Sequence, residues 1–265
     1  MGASRTEAAL SVFQISGLAW ASTVHKAAES LAHEPDADLS AYQDSIQALA
    51  VRQLDAATVQ TVDAELGRAG IVDQYGAINP QWVLAVWISA FAPVKVAAVV
   101  QSRELSVHTE LGLAAGRGVG VSYERRIRHS TDGVDVTEVR NAVEISFFTE
   151  ENARAAIKRH LPDVSDLPAP PAATPDETVA DARYTIHLEV AARLEGARPG
   201  EADERPGHVS RDIWALTERL NSVRTSSAHG GLALTEVPAS DIGREFAWRL
   251  LGAREYLASA AGQAA

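Results

Sequence analysis

Hydrophobic positions along this chain change period several times, and each change marks an expected element. Phe13-Gln14-Ile15-Ser16 gives a short extended start with Ser16 as a helix N-cap. Leu18, Val24, Ala27, Ala28 and Leu31 then fall at helical spacing, and His33-Glu34-Pro35-Asp36 ends that helix. A second helical run covers residues 45–67. Its apolar positions Ile46, Leu49, Leu54, Val59, Val62 and Leu66 keep helical spacing only with an interruption near Asp55, so one helix and two shorter ones both fit. The turn-rich stretch Gly70-Ile71-Val72-Asp73-Gln74-Tyr75-Gly76 leads to Asn79-Pro80, a capping residue followed by proline at the first helical position. That helix ends near residues 91–92, because Pro93 pushes its predecessor out of helical geometry.

Residues 94–101 are β-branched enough for a strand. Residues 102–118 read as a connection that holds a short helix and closes in Gly116-Arg117-Gly118. A second strand is expected at 119–129, with Glu124, Arg125, Arg126, Ile127 and Arg128 giving it an exposed face. A turn at Thr131-Asp132-Gly133 and a third strand at 139–148 complete an antiparallel meander, and a helix over 150–161 follows directly. Pro162, Pro168, Pro170, Pro171 and Pro175 then mark 161–181 as a linker rather than a folded element.

Beyond the linker, residues 183–194 fit strand and helix equally, and 196–208 read as a polar loop. Ser210 is placed to cap a helix to about Val223, Gly230-Gly231 opens a strand at 232–237, and a last helix covers 240–258. The chain therefore divides into an N-terminal half (1–162), a proline-rich linker (163–181) and a shorter C-terminal half (182–265) that ends in strand and helix. Residues 145–161 and 234–250 share one apolar pattern at a fixed offset, pairing Ile145 with Leu234, Phe148 with Val237, Ala153 with Ile242, Ile157 with Phe246 and Leu161 with Leu250. Residue identity between them is nearly nil. A generic strand–helix unit and a duplicated half both fit.

Composition narrows the function classes. The 265 residues are 46% hydrophobic and 22% charged, with a formal net charge of −11. That balance is globular, and it argues against general binding to nucleic acid or anionic membrane, which needs excess Lys and Arg. Without cysteine there is no disulfide, thiolate metal site or cysteine nucleophile. The most apolar stretch, 82–100, is divided by Pro93 and Lys95 and falls short of a membrane span. Glu7, Gln14 and Ser16 interrupt the stretch that would have to serve as a signal peptide, so a cytoplasmic protein is expected.

Candidate catalytic motifs are few. The eight histidines lie far apart in sequence and form no His-Glu-x-x-His pair, so no metal is expected. Gly116-Arg117-Gly118-Val119-Gly120 precedes a strand, whereas a dinucleotide loop follows a strand and opens a helix, and no P-loop occurs, so no cofactor is expected. There is no Gly-x-Ser-x-Gly elbow. Arg125, Arg126 and Arg128 form the one dense basic strip, which suits a charge-blunted strand better than a nucleic-acid reader. The chain reads as a binding protein and not an enzyme.

From residue 65 to 163 the order of features resembles the EspG family, proteins associated with ESX (type VII) secretion in actinobacteria. The resemblance is carried by Glu65-Leu66-Gly67, by the run from Gly70 through Asp73 and Gly76 to Asn79-Pro80, by the Trp-containing apolar helix with its following strand, and by Val143-Glu144-Ile145-Ser146-Phe147-Phe148 leading into a helix that ends at His160-Leu161-Pro162. It implies an α+β fold with a central antiparallel sheet flanked by helical bundles and built as two pseudo-two-fold halves. It also implies a cytosolic chaperone or adaptor that keeps helical PE–PPE-type secretion substrates soluble for export. The second half is shorter than the family's, and only 232–258 matches it well. No family contact residue maps onto this sequence. The residues a rigid sheet would best present are Arg103, Glu104 and Leu105 on the connection 102–117. The expected partner is a helical secreted client, with no nucleic acid and no membrane insertion; self-association stays open. A regulatory or structural interaction protein that kept the fold and lost the client is the second reading, and a hydrolase with a triad assembled from distant residues the third.

Overall fold

The computed structural model describes residues 10–32, 46–130, 133–164, 174–194, 207–225 and 231–263. All of its strands join one nine-stranded antiparallel sheet in the order β1-β5-β4-β3-β2-β6-β7-β8-β9. The strands are β1 (Ser11–Ile15), β2 (Val94–Gln101), β3 (Leu105–Ala114), β4 (Arg117–Ser130), β5 (Gly133–Thr149), β6 (Tyr184–Ala192), β7 (His208–Leu216), β8 (Leu220–Thr225) and β9 (Leu232–Glu236). The helices are α1 (Gly17–Leu31), α2 (Ile46–Arg52), α3 (Ala56–Arg68), α4 (Pro80–Phe91), α5 (Ala153–Lys158), α6 (Pro175–Ala180) and α7 (Asp241–Gln263). β2 and β6 pair antiparallel at the centre, and from them β2–β5 and β6–β9 run outward as meanders, each followed by a helix. This is the expected α+β class with a central antiparallel sheet.

Period-two patterning decides which layer covers which face. On β2, Val94, Val96, Ala98 and Val100 point to one face, together with Ile186, Leu188, Val190 and Ala192 of β6. α5 and α7 close this face with Ala156, Ile157, Ile242, Phe246 and Leu250. β7 ties α7 down through three of its even-numbered residues. His208 stacks on Tyr256, Asp212 accepts both arms of Arg249 at 2.8 and 2.9 Å, and buried Trp214 donates its indole N–H to Asp241 Oδ2 at 3.0 Å.

The opposite face is covered only at its two ends. α1, α3 and α4 cover β1, β5 and β4 through a core that includes Ile15, Leu66, Trp82, Ile88, Val119 and Ile145. Phe13, Trp82 and Phe147 meet there edge to face, with centroids 5.0 to 5.6 Å apart. Far along the sheet, Ala182, Ala215 and Val223 form a small separate cluster with Val179 of α6 and with Leu232 and Leu234 of β9.

The run from Glu65 to Pro80 has a physical logic. Glu65 accepts Ser16 N–H at 2.6 Å and Ser16 O–H at 2.9 Å, while Ser16 Oγ caps α1 by accepting Ala19 N–H at 3.1 Å. Leu66 is fully buried, and Gly70 and Gly76 adopt positive φ where other residues would be strained. Asp73 Oδ1 accepts the N–H groups of Tyr75 and Ala77, and Asn79 Oδ1 caps α4 through Gln81 N–H.

Several expectations are corrected. The stretch 102–118 holds strand β3, not a helix: Leu111 and Leu113, two residues apart, alternate into the core as strand periodicity requires. The first meander therefore has four strands rather than three. Residues 210–223 form β7 and β8 instead of a helix, and the Ser210 hydroxyl donates across the sheet to Val190 C=O at 3.4 Å. Residues 175–180, read as linker, form α6, where Thr174 and Glu177 make a reciprocal capping box ahead of Pro175. The helix expected over 150–161 is a 3₁₀ turn, Glu150–Asn152, followed by the shorter α5. Two helices meet at Asp55, which caps α3 through Thr58 N–H at 2.8 Å. Residues 184–192 are strand. The other linker residues 165–173, the turn residues Thr131 and Asp132 and most of the loop 196–208 lie outside the described residues. No helix of the described residues is long and apolar enough to cross a membrane.

Candidate functional site

Between the N-terminal helical layer and α6, the second face of the sheet is bare among the described residues. Strand register places one row of side chains across it: Tyr123 of β4, His108 of β3, Val99 of β2, His187 of β6 and Ile213 of β7 are consecutive cross-strand neighbours. Val209, on the same face of β7, is 51% exposed, and Ile213 is 36% exposed. The flanking row, Val121, Glu110, Ala97, Glu189 and Arg211, adds charge, and Arg211 donates to Glu189 at 2.6 Å. The arrangement is a trough of mixed lining, in which Val99, Val209 and Ile213 stand among histidine, glutamate and arginine side chains, a composition that suits a protein surface rather than a small-molecule pocket.

One wall of the trough is stiffened by stacking. His108 lies parallel to Tyr123 with ring centroids 5.2 Å apart, and the Arg125 guanidinium sits 4.9 Å above the same ring while donating to Tyr123 Oη at 3.0 Å. Ser106 Oγ lies 3.0 Å from His108 Nε2. The basic strip expected on β4 is therefore split by use: Arg125 packs against the sheet, whereas Arg126 and Arg128 pair with Glu138 and Asp135 on the exposed β4–β5 arm.

The hairpin residues Arg103 and Glu104 are exposed at the end of the sheet, and Leu105 opens β3 instead of lying on a loop. The connection is a tight turn. Ile127 N–H donates to Glu104 C=O at 3.0 Å, and Ser102 N–H donates to Leu105 C=O at 2.8 Å. Across a shallow concavity from Arg103 and Glu104 stand Asp181, Arg183 and Tyr184. The sequence does not align the trough residues Val99, His187, Val209 and Ile213, because the helical pattern it shows over 210–223 hides the strand register that brings them together.

A constellation with hydrolase-like side chains lies on the other face. Ser122 Oγ is 3.0 Å from His160 Nε2, and Glu144 Oε1 is 3.3 Å from that same nitrogen. A serine relay needs the acid on one imidazole nitrogen and the serine on the other. Here both crowd Nε2, and Ser122 is buried and also donates to Thr109 Oγ1 at 3.1 Å. The group works as a polar clasp between the sheet and the end of α5. The glycines at 118 and 120 serve packing: a Cβ on Gly118 would meet the Phe148 ring at 2.1 Å, and one on Gly120 would meet Ser146 Oγ at 2.4 Å. Among the described residues, no three His, Asp or Glu side chains converge as a metal site would require.

Burial pushes the imidazoles of His108 and His160 below the ordinary 6.5; Arg125 adds to the effect at His108, while Glu144 opposes it at His160. Lys95 is pushed down to about 8, mainly by burial, with Glu110 opposing; its ammonium donates to Ile88 C=O and Ser89 C=O at the end of α4. For each histidine the unfolded chain takes up a proton first as pH falls, so the stability they contribute is intact above about 6.5 and is lost below it. For Lys95 the unfolded chain holds its proton longer, so stability rises from about pH 8 toward 10.5. Urea midpoints measured across pH should therefore fall on acidification below about 6.5 and rise between about 8 and 10.5. A flat profile in the acidic window would show that His108 and His160 are not held neutral.

No protein-family model matches this sequence, and no curated protein matches it.

Proposed function

We propose that this protein is a non-catalytic chaperone or adaptor of the type VII secretion kind. In this reading it works in the cytoplasm and holds the apolar tip of a helical PE–PPE-type client until export. The single observation that supports it most is the trough over β2, β6 and β7, bare among the described residues, where Val209 and Ile213 are exposed beside half-buried Val99 between two covered ends of the sheet. A trough of this kind takes the apolar stripe of a helix, because alternating strand positions present parallel ridges and the rim supplies polar partners. The two meanders diverging from β2 and β6 fit the two-half architecture that the resemblance to the EspG family implies. Arg103, Glu104 and Leu105 are read as a second contact at the trough's end.

Co-expression with a helical PE–PPE-type pair encoded beside it is the test. The wild-type chain is expected to hold the pair through size exclusion at micromolar concentration. The double substitution Val209→Asp and Ile213→Asp should release it while leaving the thermal melt within a few degrees, because both positions are partly exposed. Retention of the client by that variant would remove the trough from the interface. Failure of the wild-type chain to retain any such pair would overturn the reading itself.

A further inference from the structure

A second concave surface lies on the opposite face of the sheet, between α5, residues 161–164 and the first turns of α7. It holds a cavity of about 90 Å³ walled by Ile157, Leu161, Ile186, Leu188 and Phe246. That is far below the roughly 300 Å³ at which small-molecule sites begin, and it suits one aliphatic side chain. Arg154 and Lys158 stand at its mouth on successive turns of α5. Both are exposed, and neither forms an ion pair among the described residues. Like charges at this spacing cost a helix a few tenths of a kcal/mol, which offsets part of the favourable placement of Lys158 in the last turn of α5. Gly243 of α7 leaves room for one of them: a Cβ there would come within 2.6 Å of the Arg154 guanidinium. Beyond Arg154 the concavity continues along α7 to Trp248, 65% exposed, and Leu251, 44% exposed.

We propose that this cleft is a docking site for an acidic peptide segment carrying an aliphatic anchor. The anchor fills the cavity, the flanking carboxylates meet Arg154 and Lys158, and the segment continues over Trp248 and Leu251. The partner's chemistry follows from charge: the protein's net charge is −11, so two cations without an ion pair among the described residues, beside an apolar cavity, mark the place where an acidic chain would be accepted against the overall repulsion. The site lies across the sheet from the trough and does not depend on what binds there.

Calorimetric titration of the full chain with the blocked peptide acetyl-Asp-Glu-Leu-Leu-Glu-Asp-amide tests this. Saturable binding is expected, weakening as ionic strength rises. Its counterpart with Lys in place of the acidic residues should not bind. The double substitution Arg154→Glu and Lys158→Glu should lower affinity by about tenfold or more at an unchanged melting temperature. Because that variant changes only surface side chains, Trp248→Ala serves as a second, charge-neutral probe and should also weaken binding. Absence of binding by the wild-type chain, or equal binding by the charge-reversed variant, overturns the proposal. So does binding to phosphatidylglycerol vesicles but not to the peptide, which would reassign the patch to a membrane surface. A concentration-dependent dimer lost on charge reversal, with no peptide binding, would reassign it to a second copy of the chain.

Discussion

Trp214→Ala is expected to lower the unfolding free energy by about 3–5 kcal/mol, the range for removing a large aromatic from a packed core. Trp214 is only 1% exposed, and its ring lies in the same core as Ile186, Leu188, Phe246 and Leu250. Its deletion leaves a void bounded by the sheet and α7. The indole N–H also satisfies Asp241, a carboxylate 3% exposed at the start of α7. Losing the donor leaves that buried charge to Arg244 alone. Trp214→Phe separates the two contributions, since it keeps most of the ring volume and removes only the hydrogen bond. It should cost less than half as much as the alanine substitution. Equilibrium denaturation of both variants checks this. Equal losses would mean that the hydrogen bond, rather than packing, holds α7 on the sheet.

The same residue shows what was legible in the sequence. Elements whose boundaries carry their own chemistry were readable: Ser16 and Asn79 each cap a helix, and Pro93 ends α4 where β2 begins, whereas at Asp55 the sequence shows an interruption that fits one helix or two. The β-branched content of 94–101 matches β2 over its full length. The segment around Trp214 was not readable, because Ile213, Trp214, Leu216 and Leu220 fit a helical stripe about as well as two short strands. What decides between them is long-range: β6 offers nine pairing partners to β7, from Tyr184 opposite Leu216 to Ala192 opposite His208. Tertiary pairing overrides local pattern there. The error carried through to function, since the trough exists only where β7 lies beside β6. Arg103, Glu104 and Leu105 could be named from position alone. Val99, His187 and Ile213 become neighbours only through strand register, which a single sequence does not specify at such separations.

Gly112→Ala is expected to destabilise the protein by about 1–3 kcal/mol, toward the upper end of the range for overpacking. The reason lies in what the added methyl would meet. An ideal Cβ at this position falls 2.4 Å from Ile88 O and 3.1 Å from Ile88 C, both backbone atoms of α4. A rotamer change cannot relieve that contact, so the helix itself must lift from β3. Lifting α4 disturbs Trp82, Ala85 and Ile88 in the core and draws the carbonyl oxygens of Ile88 and Ser89 away from the Lys95 ammonium that caps them. The neighbouring case differs in kind, because a methyl on Gly118 meets only the ring of buried Phe148, a side chain rather than the backbone of a helix. Gly118→Ala should therefore cost less than Gly112→Ala although its nominal contact, 2.1 Å, is the shorter. Gly67 in α3 supplies the control: nothing lies within 4 Å of its added Cβ, so Gly67→Ala should be neutral or stabilising by up to about 1 kcal/mol. Urea denaturation of the three single variants ranks them. If Gly112→Ala proves as mild as Gly67→Ala, α4 is free to ride up on the sheet, and the wall it forms beside the trough is movable rather than fixed.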